Sequence, residues 1–158
     1  MIDMQKSRIV KGTALGAAAI ALIGGFEGLR TIAYRDPVGI PTICFGETRN
    51  VRIGDVKTID DCKQMLGTRL LEFESGMRAC LTNPDTIPDG AYIASLSLSY
   101  NIGTGAFCKS SVRQYLNAGN IPKACDSFLN FVKAGGMVLP GLVRRRQEER
   151  IICLKGSI

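Results

Sequence analysis

Fifteen consecutive uncharged residues, Gly12 to Phe26, end directly on Glu27, the first acid of an E-x8-D-x5-T spacing completed by Asp36 and Thr42. Such a run has to leave water somewhere, so it constrains the chain more than any other segment. As a helix it would span about 22 Å, against a hydrocarbon core of about 30 Å. Leu15, Ile20, Leu22, Ile23 and Phe26 are its large apolar residues, and the rest is mostly Gly and Ala. On an insertion scale these five supply about −1.5 to −3 kcal/mol, so insertion is marginal. Lys6, Arg8 and Lys11 precede the run, with Asp3 as the only acid. The positive-inside rule then places the N-terminus in the cytoplasm and everything after Phe26 outside.

Three fates for the segment remain open at this point. A cleaved signal peptide finds loose small-x-small sites at Ala17-Ala18-Ala19 and Ala19-Ile20-Ala21, but cutting there leaves a chain that starts just before Glu27. A buried helix of an ordinary globular protein suits an apolar run of this length. An uncleaved, weakly held anchor that can leave the bilayer is the third. With 158 residues the chain holds one domain's worth of core.

The six cysteines, Cys44, Cys62, Cys80, Cys108, Cys125 and Cys153, all follow the apolar run, and none forms a CxxC. An even set points to disulfides in an oxidising compartment, with 15 connectivities open from sequence. Buried free thiols explain any two of them more easily than all six. Histidine is absent, which removes Ser-His-Asp and Cys-His nucleophiles and histidine-ligated zinc. No metal or other cofactor is expected, and acid-base chemistry falls to carboxylates. Glycoside hydrolysis uses carboxylates in that way, one protonating the leaving oxygen while another group handles water or the developing positive charge.

Gly24 to Leu29 reads as the end of a helix, Tyr34 to Gly39 as a strand entering a Pro/Gly turn, and Ile40 to Gly46 as the return strand. A helix end facing a hairpin can set Glu27 across from Asp36, with Thr42 on the neighbouring strand to hold a water. Two acids nine apart are common, and a surface Glu beside a turn Asp accounts for the spacing equally.

The motifs Phe26-Glu27-Gly28, Tyr34-x-Asp36-x-x-Gly39-x-x-Thr42-x-x-x-Gly46, Tyr100-Asn101-Ile102-Gly103-x-Gly105-x-Phe107 and Gly141-Leu142-x-x-Arg145-Arg146-x-x-Glu149 occur in that order. Together they resemble the phage-type lysozymes, glycoside hydrolase family 24, over about Phe26 to Cys153. The apolar start resembles the signal-anchor-release subgroup of endolysins. The resemblance implies a mainly helical α+β fold of two lobes, with a small β-hairpin lobe and a helical lobe joined by a long helix. It implies an anchor over residues 1–26 and a muramidase domain over 27–158.

It further implies that Glu27 is the general acid for the bond between N-acetylmuramic acid and N-acetylglucosamine. Asp36 with Thr42 would position water, and Tyr34, Tyr100, Asn101 and Gly103 would line the substrate cleft. A helix C-terminus closed by Gly explains Tyr100 to Gly103 as well. Peptidoglycan is the expected partner, with the inner membrane holding residues 12–26 before release to the periplasm and the released chain monomeric. The pairings implied by the family are Cys44 with Cys62, Cys80 with Cys108, and Cys125 with Cys153. A non-enzymatic tethered or wall-binding protein on the same scaffold is the alternative.

Downstream, Thr58 to Asp61 reads as an N-cap opening a helix towards Cys80. Asn83-Pro84 and Ile87-Pro88 break the chain before a helix from Gly90 to Asn101. Another helix runs from Ser110 to Asn117, one follows Pro122, and a loop lies between Gly135-Gly136 and Pro140-Gly141. The last helix runs to about Leu154. Within it, Arg144, Arg145, Arg146, Glu148, Glu149 and Arg150 read as a solvated, ion-paired face. The net charge of +6 suits acidic envelopes, and no nucleic-acid motif accompanies it.

Overall fold

The computed structural model describes residues 6–158; the first five residues of the expected 1–26 segment, Asp3 among them, lie outside the described residues. Two compact units can be separated, one formed by Ile9–Leu71 and the other by Glu72–Ile158 together with the N-terminal residues to Arg8.

In the first unit, most of the apolar run becomes helix α1, Ala14–Glu27. Thr13 caps it, its Oγ1 accepting from the Gly16 amide at 3.0 Å. The helix stops at Gly28, whose φ of +77° suits only glycine without strain and whose amide donates to Gly24 O. Glu27 is thereby fixed on the last turn. Gly16, Ala19, Ile23 and Gly24 form the buried stripe. A methyl group added at Gly24 would lie 3.1 Å from the Phe45 ring and 3.4 Å from Leu66, so the small residues allow the helix its close approach. With 14 residues α1 is short, and no helix among the described residues is long and apolar enough to cross a membrane.

Strands β1 (Arg30–Arg35) and β2 (Pro41–Cys44) form an antiparallel hairpin with Tyr34 opposite Thr42. Helix α2, Ile59–Ala79, follows. The Asp61 amide donates to Thr58 Oγ1 while the Thr58 amide donates to Asp61 Oδ2, a reciprocal cap. That backbone donor is the main reason the Asp61 carboxyl is held below its usual pKa. Cys44 and Cys62 are bonded, tying β2 to α2. The unit boundary falls inside α2, after Leu71.

The second unit holds the remainder of α2, then α3 (Asp89–Ile102), α4 (Thr104–Cys108), α5 (Ser111–Asn117), α6 (Ile121–Ser127) and α7 (Pro140–Lys155). Every residue of α3 from Gly90 to Ser99 is buried, with α7 packed against it. Cys80 is bonded to Cys108 and Cys125 to Cys153. The expected loop before Pro140 is partly a hairpin, β3 (Lys133–Ala134) with β4 (Met137–Val138), turning at two positive-φ glycines.

The charged cluster of α7 departs from its solvated reading. Arg145, Arg146 and Glu149 are buried, while Arg144 and Glu148 are exposed and Arg150 pairs with Asp126. Side chains at i, i+3 and i+4 share one helix face, and here that face meets α3. Glu149 Oε1 accepts from Ser97 Oγ at 2.7 Å and from Arg146 Nη2 at 2.9 Å, and Arg145 Nη2 reaches Ser97 Oγ at 3.3 Å. Burial raises the Glu149 pKa and lowers that of Arg146. Their mutual attraction opposes both shifts.

Ile23 is fully buried and Ala17 exposed on the same helix. Ile23→Ala is therefore expected to lower the urea-unfolding free energy by about 3 kcal/mol, and Ala17→Ser by no more than about 0.5 kcal/mol.

Tyr92, wholly buried in α3, donates its hydroxyl to Glu74, and burial together with that carboxylate raises its pKa well above 10. The folded form then keeps the phenolic proton after the unfolded chain has lost it. The stabilising contribution is complete below the unfolded pKa of about 10 and declines by about 1.4 kcal/mol per pH unit above it. Unfolding titrations should show that extra alkaline decline in the wild type and not in Tyr92→Phe.

Candidate active site

Asp36 closes the hairpin turn with its own side chain. Its Oδ1 accepts from the Val38 amide at 3.0 Å and the Ile40 amide at 2.8 Å, while the Asp36 amide donates to Ile40 O. Asx geometry of this kind explains why an acid stands before Pro37 and Gly39. The turn thus occupies one carboxylate oxygen, and both of its amides go to that same atom.

Thr42 is tied to the same residue, since its Oγ1 donates to Ile40 O at 2.9 Å. It is 3% exposed and opens the buried stretch of β2, opposite its cross-strand partner Tyr34. The Tyr34 ring lies under the Arg30 guanidinium, 4.1 Å from centroid to Cζ, which restrains both side chains. Tyr34, Asp36 and Thr42 are thus assembled by one hairpin around Ile40. Glu27 and Asp36 are both half-buried. Only Gly28 and Leu29 separate Glu27 from the first residue of β1, so the helix end sets where its carboxyl begins.

Tyr100, Asn101 and Gly103 lie in the other unit, at the C-terminus of α3, where Gly103 serves as the cap with φ +93°. The Tyr100 ring stands 4.9 Å from that of Phe73 at a tilted angle. Asn101 is exposed and borders a cavity of about 380 Å³ lined also by Ile102, Asn130, Phe131, Lys133, Ala134 and Leu142. Sequence reading had singled out neither Asn130 nor Lys133. The available signal was Gly135-Gly136, which marks the turn that brings β3 to this place. Among the described residues, no group of three or more His, Cys, Asp or Glu side chains is placed to hold a metal ion.

A phage lysozyme family model matches residues 24–149, a stretch that includes the helix end, the hairpin and the α3 terminus. The chain belongs to the phage lysozyme family. It is similar to the SAR-endolysin of Enterobacteria phage P21, 34% identical over 154 residues covering 94% of this chain and 92% of that one. Among solved structures it is similar to a mutant of the P22 lysozyme, with a TM-score of 0.81 at 33% identity over 87% of this chain and 96% of the other. The active form of the P1 phage endolysin Lyz superposes with a TM-score of 0.79 at 28% identity, covering 88% of this chain and 84% of that one. This phage lysozyme is accordingly a glycoside hydrolase of the endolysin type, and peptidoglycan is its substrate.

The turn-closing role of Asp36 can be tested by itself within this lysozyme. Asp36→Asn keeps an oxygen for the Val38 and Ile40 amides, so its melting temperature should match the wild type. Asp36→Ala leaves both amides to solvent and should cost about 1 kcal/mol in the same calorimetric measurement.

Proposed function

We propose that Glu27 is the general acid of the lysozyme reaction and that Asp36, with Thr42, orients the attacking water. The supporting observation is the placement of Asp36 and Thr42 on one hairpin residue, Ile40, with Asp36 committing a single oxygen to the turn. Glu27 protonates the glycosidic oxygen between N-acetylmuramic acid and N-acetylglucosamine as the sugar develops oxocarbenium character. The Asp36 carboxylate takes up a proton from the water that adds to the sugar. Tyr34, Tyr100, Asn101 and Gly103 contact the glycan, with Asn130 and Lys133 adding polar groups beside Asn101. Family membership leaves the non-enzymatic alternative without support.

The same proposal covers location. Residues 1–26 act as an uncleaved export signal and anchor, N-terminus cytoplasmic, with residues 12–26 in the inner membrane and residues 27–158 outside as the muramidase domain. After release to the periplasm, the lysozyme acts as a monomer. The resemblance to SAR-endolysins and the marginal hydrophobicity of Gly12 to Phe26 support this reading. It divides the chain by export rather than by packing, since the compact units part at Arg8 and at Leu71.

Turbidity loss in outer-membrane-stripped cells is the direct assay of the chemistry. Glu27→Gln and Asp36→Asn should each lose about 10²- to 10⁴-fold in rate while remaining folded, the range general acid-base groups contribute. Rates near the wild type in either variant would remove that residue from the mechanism.

A further inference from the structure

The residues just before the apolar run do not trail away from the fold. Ser7 Oγ donates to Glu74 Oε2 at 2.5 Å, and the Arg8 amide donates to Glu74 Oε1 at 2.8 Å. The Arg8 guanidinium donates through Nη1 to the carbonyls of Pro84 and Ile87 at 2.9 and 2.8 Å, and through Nη2 to Asp89 Oδ1 at 2.6 Å. It also lies over the Tyr92 ring, 4.1 Å from the centroid. Glu74 is 1% exposed and Tyr92 wholly buried, and the Tyr92 hydroxyl is a third donor to the Glu74 carboxylate. All these groups belong to the second compact unit. The result is a built receptor, with a buried carboxylate for the backbone and serine and a carbonyl-lined, aromatic-floored seat for one guanidinium.

We infer that this Glu74–Tyr92 seat is a binding site for the chain's own Ser7–Arg8, and that its filling latches the released state. The inference rests on the membrane reading proposed above. With the N-terminus cytoplasmic and the domain outside, Ser7 and Arg8 stand across the bilayer from Glu74, and the seat is empty. Arg8 can reach it only after residues 6–11 have crossed. Once seated, the guanidinium has two carbonyls, a carboxylate and a ring in place of water, and re-insertion must first undo all four. The small apolar gain of Gly12 to Phe26 would otherwise leave departure easily reversed.

Arg8→Lys tests this with the charge that crosses the bilayer unchanged. An ammonium cannot present the planar fork that joins Pro84 O, Ile87 O and Asp89 at once. Glu74→Gln attacks the seat from the other side without altering the crossing segment. Full-length proteins are fractionated from cells before and after membrane depolarisation. Before depolarisation, wild type and variants should sit equally in the membrane. Afterwards, the soluble-to-membrane ratio should fall about ten-fold in Arg8→Lys, the ratio equivalent to about 1.4 kcal/mol, and in the same direction in Glu74→Gln. Membrane-bound wild type beforehand with an unchanged ratio in Arg8→Lys afterwards would overturn the latch alone. Absence of wild type from the membrane beforehand would overturn the anchor, and the latch with it.

Discussion

The contact of α1 with Phe45 and Leu66 governs what the rest of the first unit can do. Ile23 supplies the apolar area, but Gly24 sets how close the helix comes, while Gly16 makes room for the Ile9 and Val10 carbonyls just before the helix. A methyl group at Gly24 would crowd the Phe45 ring, and either the ring or the helix would have to give way by a few tenths of an ångström. Glu27 sits on the last turn of that same helix, immediately before the Gly28 cap. The position of the proposed acid is therefore inherited from small-residue packing several residues upstream.

A comparable dependence operates in the second unit, with charge in place of apolar area. Arg145, Arg146 and Glu149 are buried between α7 and α3, and Ser97 completes the set. Removing one member of such a group leaves an uncompensated buried charge, which is costly, whereas the intact set is close to neutral in stability. The value of the cluster lies in specification. The three charged groups share one helix and pair in any rotation of α7, so what fixes its register against α3 is the set of bonds that cross to Ser97: its hydroxyl donates to Glu149, and Arg145 donates to its carbonyl and its hydroxyl.

Local signals in the sequence were legible because they are satisfied locally. Thr58 and Asp61 cap α2 through groups three residues apart, and Asp36 with Pro37 and Gly39 forms a turn from side-chain and backbone groups within five residues. Ser110 likewise starts α5 by accepting from the Arg113 amide. The α7 cluster is buried against expectation because i, i+3 and i+4 charges look the same on a wet face and on a face turned to the core. What decides is the partner helix, which the spacing does not contain. Helix α4, five residues long, is too short to display a period. Asn130 and Lys133 carry no such local signal, since they join Asn101 through tertiary placement of a 3-10 turn, Phe128–Asn130, and of the two-residue strand β3. The order of motifs along the chain, matched to a family, carried the three cysteine pairings that local reading left open.

The composition of Gly12 to Phe26 follows from having to satisfy two environments. A bilayer rewards large apolar residues on every side of a helix, whereas the packed form exposes Ala14, Ala17, Ala21 and Gly25 to water. Leucines at those positions would strengthen insertion and at the same time place an apolar surface in solvent after release. Alanine and glycine cost little in either place. The large residues instead include Ile23, on the side that α1 buries, and Leu22 and Phe26, which are half-covered. A segment selected only as a core helix would have no reason to keep charge off its exposed side. Under the proposed cycle, the uncharged yet small exposed face is what allows the same fifteen residues to be a tolerable membrane span first and the helix that carries Glu27 afterwards.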